Sequence, residues 1–213
     1  MNNLPAIAVI GAGNVGGGLG TTLSRAGYPV TFGVRPGRDI AELLTGCGDQ
    51  ASSTDPAAAA AAADVVFLAV PASSAIEAAT SLGDLTGKVV VDCNNPLRWE
   101  NGPVWNPPHE GSLAQAIAAA VPGARVVKAF NTFGAEFHAD PALGGSGVDV
   151  PIATDDDDAR AMIHAIAVRA GFTPVDVGPL RNAALLENLA MIWIHLAMVG
   201  GRGRNFAFKL VER

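Results

Sequence analysis

Gly11-Ala12-Gly13-Asn14-Val15-Gly16 is the stretch in which residue type and spacing most clearly prepare chemistry. Its three glycines follow the apolar run Ala6–Ile10 directly and open a helical pattern, which is the context a GxGxxG motif requires. Each glycine has its own task. Gly11 permits a tight turn, Gly13 lets the backbone approach a pyrophosphate, and Gly16 lets a helix pack closely on a strand. Free N–H groups at the helix start, around Ala12, Asn14 and Val15, then face the phosphates. The end of the second strand selects the dinucleotide. An NAD site places an acid there to hold the ribose hydroxyls. In the segment 30–38 no acid ends the strand; Val34 and Arg35 stand there and Arg38 follows. A guanidinium binds phosphate oxygens in pairs, so the sequence predicts NADP(H). Asp39, after the arginines, reads as a helix start.

Ligands of an open α/β sheet sit at the carboxyl ends of its strands. Three more segments therefore belong to the predicted site: Val70-Pro71-Ala72, Asn94-Asn95-Pro96 and Phe130-Asn131-Thr132. Their prolines and asparagines suit loops lining a nicotinamide, with amides as neutral hydrogen-bond partners.

The elements that must position these residues are legible as well. Apolar runs occur at Ala6–Ile10, Val30–Val34, Val65–Val70, Val89–Asp92 and Arg125–Phe130. Continuous rather than alternating apolarity marks strands covered on both faces. Helical patterns lie between them near 14–26, 37–45, 54–63, 73–81 and 112–121. The order predicts an α/β, doubly wound Rossmann-type parallel sheet over residues 1–150. Residues 151–213 read as a small, mainly helical C-terminal part for partner binding and oligomerisation. There, 149–154 reads as a strand, Thr154 as a helix cap, and Asp155-Asp156-Asp157-Asp158 as a first turn whose acids complement the helix dipole. Met162, Ile163, Ile166 and Ala170 form its apolar face and Gly171 stops it. A strand near 172–177 precedes a long helix over about 180–199. Leu185, Leu186, Leu189, Ile192, Trp193 and Leu196 spread over more than the one stripe a single neighbour covers. A second surface is expected to cover the rest, a second copy of the chain or the redox partner, with Trp193 touching it.

Composition excludes several classes. The 213 residues are 49% hydrophobic and 16% charged, which rules out intrinsic disorder. A net charge of −6, with no basic run, argues against a nucleic-acid partner. Cys47 and Cys93 stand far apart and match no zinc spacing, and the four aspartates do not match a calcium loop, so no metal is expected. The most apolar helix is interrupted by Glu187, Asn188 and His195, far short of the ~18 apolar residues of a membrane span. The start lacks the positive segment of a signal peptide. A soluble, cytoplasmic protein is expected.

The sequence also resembles a known family, the NADPH-dependent reductases of the deazaflavin coenzyme F420. The resemblance runs over nearly the whole chain. It rests on the opening 8–16 and on Phe32-Gly33-Val34-Arg35, where members carry Gly-Ser-Arg. It rests further on 150–157, on Pro174-Val175-Asp176-Val177-Gly178-Pro179-Leu180 and on the ending Phe208-Lys209-Leu210. Val34 in place of the serine removes one phosphate ligand. The segment 127–132 is more similar to a branch that includes the cytosolic domain of membrane metalloreductases. The loop 94–111, with Trp99, Trp105 and His109, lies outside the resemblance.

The resemblance implies hydride transfer between a nicotinamide and a stacked redox partner, coenzyme F420 or a flavin (FAD or FMN), in a homodimer or higher homo-oligomer. Aligning two rings needs no side-chain acid or nucleophile. No catalytic residue is therefore predicted. His138, His164 and His195 read as structural or surface residues, His195 as a satisfied interior one, and His109 as the candidate substrate contact in the unmatched loop. A non-catalytic NADPH-binding redox sensor is the alternative. A hydroxy-acid dehydrogenase would need a general base and a larger helical domain.

Overall fold

The computed structural model describes residues 4–213. In chain order its elements are β1 (Ile7–Ile10), α1 (Asn14–Arg25), β2 (Val30–Gly33), α2 (Ala41–Thr45), β3 (Ala51–Thr54), α3 (Pro56–Ala62), β4 (Val65–Leu68), α4 (Ala75–Ser81), β5 (Val89–Asp92), β6 (Leu97–Trp99), β7 (Pro103–Trp105), α5 (Leu113–Ala120), β8 (Arg125–Lys128), α6 (Glu136–Ala139), β9 (Ala142–Leu143), β10 (Ser146–Gly147), β11 (Asp149–Thr154), α7 (Asp157–Arg169), β12 (Thr173–Asp176) and α8 (Ala183–Met198). Single turns of 3₁₀ helix precede α4 at Ala72–Ser74 and α8 at Leu180–Asn182.

Eight strands pair in the order β12-β11-β8-β5-β4-β1-β2-β3. The pairs from β3 across to β8 are all parallel. β11 returns antiparallel beside β8, and β12 runs parallel to β11. The chain is thus an α/β, doubly wound Rossmann-type fold. Strand order reverses at β1, where Ile7 faces Val30 on one side and Val65 on the other. That reversal opens the crevice in which such sheets hold ligands.

The valine-rich strands feed two cores. Ile7, Val9, Val65 and Phe67 pack with Leu19, Leu23 and Ile163 on one face of the sheet. Ala8, Ile10, Val66 and Leu68 pack with Ala59, Ala79, Leu113 and Ile117 on the other. Neither face meets water, so no polar alternation is imposed.

Strands β1, β2, β4, β5 and β8 lie inside the predicted runs. Two features of the first 120 residues were not anticipated. β3 is Ala-Ser-Ser-Thr, a largely exposed edge strand without an apolar face. β6 and β7 form an antiparallel hairpin in the loop 94–111, with Leu97 opposite Trp105. Its turn carries Asn101 at φ 55° followed by Gly102, a pair suited to a hairpin.

The C-terminal region differs from expectation in several places. The expected boundary between 150 and 151 falls inside β11, a strand of the main sheet. Thr154 does not cap α7. Its hydroxyl donates to the Val126 carbonyl (2.7 Å), and Asp156 is the cap, accepting from the Ala159 N–H (2.7 Å). Only Asp157 and Asp158 lie in the first turn of α7, because Asp155 turns away to accept from the Leu180 N–H (3.0 Å). Trp193 is buried beneath the chain's own C-terminal segment, stacked on Phe206 and donating from Nε1 to the Phe206 carbonyl (2.7 Å). It therefore has no free face for a partner. The exposed apolar residues of α8 are instead Leu185 (65%), Ile192 (53%) and Met198, with Val199 just beyond. His195 is exposed rather than interior. Among the described residues no helix is long and apolar enough to cross a membrane.

Candidate functional site

β1 ends at Ile10, and the chain turns at once through Gly11 at φ +101°. A Cβ on Gly11 would also lie 2.4 Å from the Ala69 carbonyl oxygen. Gly16 sits where α1 descends onto this turn; a Cβ there would be 2.0 Å from the Gly11 oxygen. Gly13 differs from both. It is exposed, and a Cβ on it meets nothing within 4 Å. The fold itself does not need this position to be small, and the space above it is open. Gly13 also caps α1 without a side-chain hydrogen bond. The first N–H groups of α1, which have no intrahelical partner, therefore face that space.

The space is a cleft of about 550 Å³. Gly11, Ala12, Gly13, Val34, Arg35, Arg38, Val70 and Pro71 of the predicted site line it, together with Ser74, Glu77 and Ala78 from the α4 side. Arg35 and Arg38 lie exposed beyond the end of β2, and neither makes an ion pair with any described residue. Asp39 accepts from the Ala41 N–H (2.8 Å), so it serves the start of α2 rather than the cleft.

The other predicted residues lie outside this cleft. Asn14, Val15 and Gly16 belong to the first turn of α1, and Ala72 to the turn after Pro71. Asn94, Asn95 and Pro96 at the end of β5 meet Phe130, Asn131 and Thr132 at the end of β8. The Asn95 amide donates to the Asn131 carbonyl and the Asn131 amide donates to Asn95 Oδ1, both at 2.8 Å. This clasp leaves Asn131 Oδ1 buried without a partner. Phe130 is held at φ +60°, unusual for a bulky residue, and His138 Nε2 donates to its carbonyl at 2.8 Å. Burial holds His138 neutral, its pKa below the ordinary 6.5, and Nδ1 has no partner. His109 is 92% exposed beside Glu110.

Beneath these strand ends lies a group that sequence reasoning missed. Lys128, Asp92 and Glu187 are all 0% exposed. Lys128 Nζ donates to Asp92 Oδ2 (2.7 Å), the Asn94 carbonyl (2.5 Å) and Glu187 Oε1 (3.0 Å). Asp92 Oδ1 accepts from both the backbone and the side-chain amide of Asn94. Glu187 also accepts from the Trp105 indole and the Leu113 N–H, each at 2.9 Å. One buried ammonium thus ties β5, β8, the hairpin, the start of α5 and α8. The signal was present: each of the three charges interrupts an apolar run. Cys93, between Asp92 and Asn94, has its thiol pKa raised by burial and then by the Asp92 charge, so it is inert. Both cysteines are free.

The glycine turn, the open space over the start of α1 and the unpaired arginines beyond β2 thus lie together at the switch point of a Rossmann-type fold. Residues 6–96 match the family described as NADP oxidoreductase, coenzyme F420-dependent. A crystal structure of a candidate F420-dependent NADP reductase from Arthrobacter sp. FB24 is 31% identical and superposes with a TM-score of 0.85, covering 98% of this chain and 100% of the other. The F420-dependent NADP reductase of Methanothermobacter thermautotrophicus is 29% identical over 97% of this chain and 94% of its own. The metalloreductase STEAP3 of Rattus norvegicus is 30% identical over 88% of this chain. This chain spans about a third of the metalloreductases it matches, 36% of STEAP3. The chain belongs to the coenzyme F420-dependent NADP oxidoreductase family.

Proposed function

We propose that the chain binds NADP(H) in the cleft at β1 and passes reducing equivalents between the nicotinamide and a second flat redox ring, a deazaflavin such as coenzyme F420 or a flavin. The observation that carries the reading is the pair of unpaired arginines at the end of β2, where an NAD site would place an acid, beside the open cradle at Gly13. In this reading the amides opening α1 hold the pyrophosphate and Arg35 and Arg38 hold the 2′-phosphate. Asn131 Oδ1 supplies the acceptor that a carboxamide donor satisfies. When bound, NADP(H) supplies or accepts a hydride at its nicotinamide ring. The residues do the rest: the Asn95–Asn131 clasp fixes the wall of the ring's site, and the buried Lys128 group fixes the clasp. Among the described residues no His, Cys, Asp or Glu cluster suits a metal ion.

The exposed stripe Leu185–Ile192–Val199 supports a homodimer, since an uncovered patch of that kind invites association. The decisive experiment is an acceptor screen with purified protein and NADPH against coenzyme F420, FAD, FMN and a ferric chelate. Oxidation with a deazaflavin or flavin supports the reading. NADPH binding with no turnover on any acceptor leaves a redox sensor.

A further inference from the structure

The arginines and the glycine turn account for the phosphate end of the cleft but not for the wall opposite. Ser74, Glu77, Ala78, Ser81 and Leu82 recur at the spacing of one helix face and line that wall. Glu77 is the only ionisable group among them. It is exposed, and its carboxylate makes no hydrogen bond or ion pair with any described residue. Arg35 and Arg38 line the same cleft and do not pair with it.

A bare carboxylate in a cleft built for phosphates repels its ligand unless it faces a part that carries donors. The dinucleotide leaves little choice of part. With the pyrophosphate over Gly11–Gly13 and the 2′-phosphate at Arg35 and Arg38, the adenosine ribose is fixed between them. The base then lies in the remaining space between the arginine side and α4, where Ala78 and Leu82 give it an apolar wall. Adenine's only exocyclic donor is its 6-amino group. An ionised carboxylate is acceptor-only, so it discriminates sharply between an amino group and an oxygen at that position.

We propose that Glu77 reads the adenine base by accepting a hydrogen bond from its 6-amino group, so that the cleft selects adenine over bases with a 6-oxo group. This rests on the NADP(H) reading above. It assigns a specificity role to a residue outside the glycine turn and the strand ends.

The test uses the full-length protein, with dissociation constants measured by nucleotide fluorescence for NADPH, NADH and the reduced hypoxanthine analogue of NADPH. Wild type is expected to bind NADPH about tenfold or more tightly than the hypoxanthine analogue, a difference of ~1.4 kcal/mol. Glu77→Gln is expected to reduce that ratio to about twofold or less, because an amide can accept from the amine or donate to the 6-oxygen. Glu77→Ala should lose the discrimination too, through weaker NADPH binding. Equal affinity of wild type for the two bases overturns the proposal. So does an equal loss of both ligands in Glu77→Ala, which would place the carboxylate on the ribose. If wild type binds none of the three nucleotides, the NADP(H) reading itself falls; if it binds NADPH without base preference, only the role of Glu77 falls.

Discussion

Replacing Lys128 by methionine keeps an unbranched side chain one atom shorter and removes its charge. In the native protein one ammonium stands 2.7 Å from Asp92 and 3.0 Å from Glu187, with all three groups shielded from water. Without it, two buried carboxylates face each other no farther apart than those two distances combined. The Asn94 carbonyl, bonded to Nζ at 2.5 Å, is orphaned as well. Removing one partner of a buried ion pair costs about 3–5 kcal/mol, because the remaining charge is left uncompensated. For a chain of this size 1 kcal/mol shifts the melting temperature by about 2–4 °C, so Lys128→Met should melt about 6–20 °C below wild type. The assay is thermal unfolding by circular dichroism near neutral pH. A control separates charge from packing: the triple variant Asp92→Asn, Lys128→Met, Glu187→Gln carries no charge within this group and should recover several degrees. A single variant within about 2 °C of wild type, or a triple variant no better than the single, would refute the reasoning.

Other outcomes follow from the site. Arg35→Ala should weaken NADPH at least tenfold while changing NADH little, and titration of both nucleotides checks it; equal losses would remove Arg35 from the 2′-phosphate. Gly13→Val should fold with a near-native melting temperature, since a Cβ there has open space, yet lose NADPH binding; retained affinity would move the pyrophosphate elsewhere. Stability should fall on acidification below about pH 6.5, because the unfolded chain takes up a proton that buried His138 refuses. Its slope has a ceiling of ~1.4 kcal/mol per pH unit from one proton, and His138→Gln should flatten denaturant-measured stability between pH 7 and 5. An unchanged slope would show that other groups set it. Light scattering should find wild type dimeric at micromolar concentration and Ile192→Asp monomeric, whereas a monomeric wild type would end the dimer reading.

What could be read from the residues divides along physical lines. Strands buried on both faces announce themselves by unbroken apolarity, as Val65–Leu68 and Val89–Asp92 do. The glycine turn was legible because backbone geometry admits few alternatives at Gly11 and Gly16. β3 was not, since an exposed edge strand of alanine, serines and threonine buries no face. The hairpin was missed although Asn101-Gly102 stood in the sequence, because its flanking strands are three residues each. Thr154 looked like a cap by residue type, but only the fold showed that its hydroxyl is engaged with Val126. Trp193 was misplaced for a related reason. Helical spacing shows that α8 is apolar on several sides, but not that the chain's own tail returns to cover one of them. The Lys128 group joins residues from 92 to 187, a separation no local pattern spans.

The connection between β5 and α5 is moored at both ends by the same buried charges, through the Asn94 carbonyl at its start and the Leu113 N–H at its finish. Between those moorings the hairpin turn is exposed at Glu100 and Asn101. That turn, unlike Asn95 and Trp105 on either side of it, can change length and composition without disturbing the strands that carry it. It is a natural socket for evolutionary exchange, and equally for the engineer, who can graft a different turn between Trp99 and Pro103 while Trp105 keeps its bond to Glu187 and the sheet keeps its register.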